Sequence, residues 1–271
     1  MKSLALLFAV GMLLAPSLEA QESARALFDL ARKQAGEGQT TAALDSLRKA
    51  RALAPNSEEV LSAYARTSLT ARQPVQAIDV LRPLTRMCAS CVDYHYLLGV
   101  ALLQAGDSVS AVDALRAAEA IDPNRPLTLI ALGLALNDRK LFTEAKPVLV
   151  RALELQPENV EAIAALSEAE EGLDELDLAE SHARKVLAAS SANPGALLVL
   201  GMVQTKRGQY AAARDSLLAA VAVESALQKA HYQLSLVYAR LGDDENSRKH
   251  LELYKRAMQE MQERLRSIRA R

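Results

Sequence analysis

Along most of the chain, apolar and small residues recur at the three- and four-residue steps of an α-helix, in short blocks separated by polar turns. The clearest block is 126–159. Its first half carries Leu129, Leu132, Gly133 and Leu136 and predicts a helix over 127–136. Its second half carries Ala145, Leu149 and Ala152 and predicts a helix over 143–155, which Pro157 stops. The polar stretch 137–141 reads as the turn between them. Two such helices cannot bury their own apolar faces, so the block must stack on others like it.

The others are present at a period of 34 residues without slip: 24–57, 58–91, 92–125, 126–159, 160–193, 194–227 and 228–261. The fourth place of each block holds Leu27, Leu61, His95, Leu129, Ile163, Leu197 and His231, and the seventh holds Leu30, Tyr64, Leu98, Leu132, Leu166, Leu200 and Leu234. Both columns have the character of a core. The eighth place holds only small residues (Ala31, Ala65, Gly99, Gly133, Ser167, Gly201, Ser235), and so does the twentieth, from Ala43 to Ser247. Small residues at fixed places are what two helix backbones in close approach require. From Asn246 onward no Gly or Pro interrupts, and Leu251, Tyr254, Met258, Met261, Leu265 and Ile268 follow alternating three- and four-residue steps. This predicts one long helix over 246–271, a cap for the array and also a stripe through which copies could self-assemble.

These units resemble the tetratricopeptide repeat family, helix-turn-helix units of the same length with a W-x2-L-G-x2-Y…A-x3-F…P pattern. The chain departs from that pattern where the family prefers aromatics, since it has no Trp, and the terminal Pro survives only as Pro55, Pro123 and Pro157. The resemblance implies an all-α fold, a right-handed α-solenoid of tandem repeats with a long C-terminal helix, whose first helices line a concave groove. Carried over place by place, the groove residues are Tyr96, Val100, Leu103, Leu127, Ile130 and Leu134 in the third and fourth units, and Leu198, Met202, Tyr232 and Leu236 in the sixth and seventh. Glu161, Glu168 and Glu171 interrupt this apolar wall. A wall of this kind suits an amphipathic helix or an extended peptide. The alternatives are that its residues close on one another or that the chain's own end fills the groove. Some family members clamp the terminal carboxylate of chaperones with Lys and Asn. The equivalent places here hold Arg25, Phe28, Asp29 and Arg32, then Glu59, Ser62, Ala63 and Arg66, so that partner is not implied.

Composition narrows the reading further. Half the residues are hydrophobic but only 4% are aromatic, so the core consists of Leu and Ala between close helices. A net charge of −1 speaks against a nucleic-acid partner. The fifth unit nevertheless sets eight acidic residues, from Glu161 to Glu180, against only Arg184 and Lys185, which reads either as a solvated face or as a patch for a basic partner.

Residues 1–20 read as a secretory signal, with Lys2 ahead of an apolar run over 4–14 and small residues after it. Cleavage is expected after Ala20, with Ser17 as the alternative, and no Cys follows the run to take a lipid. The mature chain is then periplasmic or secreted and has no other run long enough to span a membrane. In that compartment Cys88 and Cys91 are expected to form a local disulfide; a thiol-disulfide activity at the same pair is the alternative. Val92 stands where haem attachment needs His, and one C-x-x-C does not make a zinc site. His95, His182, His231 and His250 are expected to pack within the repeats, and no catalytic, metal or cofactor motif is present. The expectation is an exported, non-enzymatic scaffold or assembly factor of the cell envelope that holds a protein or peptide; the oligomeric state is open.

Overall fold

The computed structural model of the protein describes residues 18–225 and 227–269, and these form fourteen α-helices with no strand among them. The helices are α1 (Leu18–Gly36), α2 (Thr40–Leu53), α3 (Glu58–Thr70), α4 (Pro74–Met87), α5 (Val92–Ala105), α6 (Ser108–Ile121), α7 (Pro126–Asp138), α8 (Phe142–Leu155), α9 (Val160–Gly172), α10 (Leu176–Ala189), α11 (Pro194–Lys206), α12 (Tyr210–Val223), α13 (Gln228–Leu241) and α14 (Asp244–Arg269). They form two compact units, one up to Ala71 and one from Arg72 onward. The expected signal falls mostly outside the described residues.

The first unit buries Phe28, Leu44, Leu47 and Tyr64, with the Arg51 guanidinium 5.4 Å above the Tyr64 ring. In the second unit the small-residue columns explain the packing. Ala77, Ala111, Ala145, Ala179 and Ala213 are fully buried. A Cβ placed on Gly99, Gly133 or Gly201 would lie 2.4, 2.4 and 2.6 Å from Leu115, Leu149 and Leu217, so each leucine packs directly on a bare backbone. The connection inside each helix pair repeats too. Gly38, Arg72, Gly106, Lys140, Asp174, Gly208 and Gly242, each one period from the last, all have positive φ. Glycine enters this left-handed conformation at no steric cost, and the three non-glycine members pay for it with local strain. Where the chain enters a new repeat, Asn159 and Asn193 cap α9 and α11 by accepting from Ala162 N and Ala196 N at 3.0 and 2.9 Å.

In the block 126–159, α7 runs beyond the expected 136. Asn137, read as part of a polar turn, is buried and donates from Nδ2 to Ala165 O at 2.7 Å, a hydrogen bond into the next repeat that replaces solvent. At the far end α14 has 26 residues, about 39 Å at 1.5 Å per residue. Its first half packs on α13, where the His231 and His250 Nδ1 atoms lie 2.9 Å apart. Its second half leaves its own repeat: Met261 lies against Gly106, Arg264 reaches the Gln104 carbonyl, and Arg82 donates to the carbonyl of Ile268, whose side chain is buried.

Candidate partner-binding cleft

Helical three- and four-residue steps bring side chains of two first helices to one face. On α5 these steps bring Tyr96, Val100 and Leu103 into line, and on α7 Leu127, Ile130, Ala131 and Leu134; Glu161 comes from the start of α9. Together they line a cleft of about 140 Å³. Leu127 is 47% exposed at its edge, whereas Ile130 at 2% belongs to the core that forms its floor. Arg125 stands 4.9 Å above the Tyr96 ring and pairs with Asp93 at 2.6 Å.

The groove residues of the sixth and seventh units lie apart from this cleft. Leu198 is buried in a cluster with Leu217, Leu234 and Val237, and Met202 packs against that cluster. Tyr232 and Leu236 remain substantially exposed, with the Tyr232 ring 5.2 Å from Tyr254 of α14. The resemblance implies one wall for all ten residues. Two of them, Ile130 and Leu198, are buried in the core.

The acidic fifth unit is not an open patch. Glu168 pairs with Lys229 at 2.6 Å, and Lys229 also holds Asp138 at 3.0 Å. Burial works against the Lys229 charge, but the two carboxylates outweigh it and raise the ammonium's pKa. Glu170 and Glu171 are buried, the first with His182 at 2.7 Å and the second with Lys206 at 2.8 Å. Burial lifts both carboxyls above the usual range despite these partners. Glu175 pairs with Lys146, and Arg207 takes Asp177 and Glu180. Lys146, Lys206, Arg207 and Lys229 come from other repeats, so a count within one unit could not show the neutralisation. Glu161 differs: it is exposed and has no ion pair among the described residues.

The remaining candidates are placed as follows. Cys88 caps the end of α4, Cys91 caps the start of α5, and the two are joined in a disulfide with a Cα–Cα distance of 5.3 Å. His95 bonds through Nε2 to Ala89 O at 3.0 Å, and His231 through Nε2 to Ser225 O at 2.9 Å. The terminal stripe that could serve self-assembly is turned on the chain itself through Tyr254, Met261 and Ile268. Among the described residues no group of three or more His, Cys, Asp or Glu is arranged to hold a metal, and no helix is long and apolar enough to cross a membrane.

The tetratricopeptide repeat profile matches residues 65–126 and 198–260. The chain is a tetratricopeptide repeat protein. Three solved structures share the repeat fold. A tetratricopeptide repeat protein from Parabacteroides merdae is 12% identical over 91% of this chain and 99% of that one, with a TM-score of 0.70. The Cut9–Hcn1 hetero-tetramer of the APC/C is 18% identical over 80% of this chain and 43% of that one, with a TM-score of 0.64. MamA is 21% identical over 70% of this chain and 96% of that one, with a TM-score of 0.55. At these identities the likeness is one of fold. No curated protein matches the chain.

Proposed function

We propose that this tetratricopeptide repeat protein is an exported, non-enzymatic scaffold of the cell envelope that holds a protein or peptide partner on the inner face of its repeats. The observation that carries the reading is the cleft between α5, α7 and α9, a concave apolar surface with exposed Leu127 at its edge. Such a surface gains free energy by taking up a partner's apolar side chains, roughly 25 cal/mol for each Å² removed from water. The apolar run over 4–14 supports export, and the Cys88–Cys91 disulfide fits an oxidising compartment. The Cut9–Hcn1 neighbour is itself part of an assembly, which accords with a scaffold.

A pull-down from envelope extract with the whole chain, beside a Tyr96→Ala, Leu127→Glu, Leu134→Glu variant shown by circular dichroism to be folded, tests the site. Ile130 is left alone because its burial makes any charge there unfold the repeat. A partner held by the parent and lost by the variant supports the cleft; equal retention by both moves the site elsewhere. Mass spectrometry of the protein recovered from its producing cell tests export. A new N-terminus at residue 18 or 21 is expected, and an intact residue 1 in the cytoplasm refutes it.

A further inference from the structure

We propose that the cleft takes one large apolar side chain of a partner polypeptide together with a Lys or Arg side chain that pairs with Glu161. This rests on the reading of the inner face as the docking surface and specifies its partner. A volume of about 140 Å³ is too small for a drug-sized ligand, whose pockets run from about 300 Å³ upward. It is close to the roughly 150 Å³ of an apolar cavity that admits a benzene ring. One Phe, Leu or Met side chain therefore fills it. Leu127 at the edge of the cleft, and Tyr232 and Leu236 on α13 of a later repeat, are exposed and leave apolar surface for the rest of a polypeptide.

The charge of that partner follows from what the chain has already neutralised. Three glutamates of α9 were candidates to meet a basic group. Glu168 is taken by Lys229 and Glu171 by Lys206, both lysines of this chain. Arg125, which stands over the face of the cleft residue Tyr96, is paired with Asp93. Glu161 alone lines the cleft with a carboxylate that no cation of the described residues answers. A negative charge at the edge of an apolar, low-dielectric wall favours a cation on the arriving chain and disfavours an acid.

The test uses blocked synthetic peptides with one Phe followed, after zero to three Gly, by Lys, and a matched set with Glu in place of Lys. Methyl NMR of the full chain reports binding at Ile130, Ala131 and Leu134. The Lys peptide of best spacing is expected to bind about threefold to tenfold more tightly than its Glu counterpart, the range for a partly exposed ion pair exchanged for a repulsion. Glu161→Gln is expected to abolish that preference, and Glu161→Lys to reverse it. Shifts at the three methyls that are equal for both peptide sets, or a preference that survives in Glu161→Gln, overturn the basic partner while leaving the cleft as a docking site. No shift with any peptide overturns both.

Discussion

Gly133 offers the sharpest test of how the repeats are held together. In a helix interior Gly→Ala normally stabilises by about 1 kcal/mol, because alanine loses less backbone entropy. Here the new methyl would lie 2.4 Å from Leu149 Cδ2 and 2.5 Å from Cγ, well inside contact distance and against the branch point of a fully buried side chain. Overpacking of this kind costs about 1–3 kcal/mol, so Gly133→Ala is expected to destabilise by about 1 kcal/mol net. Leu149→Ala alone removes the opposing side chain and costs about 2–5 kcal/mol. In that background the methyl enters empty space, and Gly133→Ala becomes stabilising by about 1–2 kcal/mol, from propensity plus one buried carbon. The sign reversal corresponds to a coupling of about 2–3 kcal/mol, measured by urea unfolding of the four proteins of the cycle, followed at 222 nm. If Gly133→Ala stabilises both backgrounds equally, the helices do not pack on a bare backbone at this place.

Three further outcomes follow from the contacts. Asn137→Ala removes the buried hydrogen bond to Ala165 O and is expected to cost about 1–3 kcal/mol, read in the same unfolding assay; no loss would mean the bond contributes nothing across the repeat junction. Burial raises the Glu171 pKa, so the stability attached to its protonated form is complete below the unfolded value and is lost as pH rises through the folded one. Relative to the parent, Glu171→Gln should therefore gain stability between pH 4 and pH 7, and a difference flat with pH refutes this. His250 behaves in the opposite sense, since burial, His231 and Lys249 lower its pKa. Its contribution is complete above the usual imidazole value of about 6.5 and falls as pH drops, and amide exchange in α14 is expected to rise on acidification and to lose that dependence in His250→Phe.

The repeat period was legible because small residues recur at the eighth and twentieth places, and steric exclusion of larger ones leaves a trace in sequence. The long final helix was legible for the same kind of reason, an uninterrupted stripe without Gly or Pro. What was not legible depends on which neighbours meet. Asn137 looks like a turn residue until Ala165 O is placed beside it. The eight acids of the fifth unit look like an open patch until Lys146, Lys206, Arg207 and Lys229 arrive from other repeats. The left-handed turn position carries no clear sequence mark, because Arg72, Lys140 and Asp174 interrupt the glycines there. Of the groove residues, the six on α5 and α7 line one cleft, whereas Leu198 and Met202 pack in a core cluster and Tyr232 and Leu236 lie on α13, a placement that depends on contacts between helices and not on place within a repeat.

A stack in which each repeat touches only its neighbours can fray from either end, and its stability is a sum of local terms. From Arg72 onward this chain does otherwise, because Arg264 meets Gln104 and Ile268 meets Arg82 across separations of 160 and 186 residues. Those contacts close a loop, at an entropic cost on the order of 4–5 kcal/mol that must be met before any of them forms. The end helix is therefore expected to dock last in folding and, once docked, to convert a series of separable repeats into a unit that opens in one cooperative step.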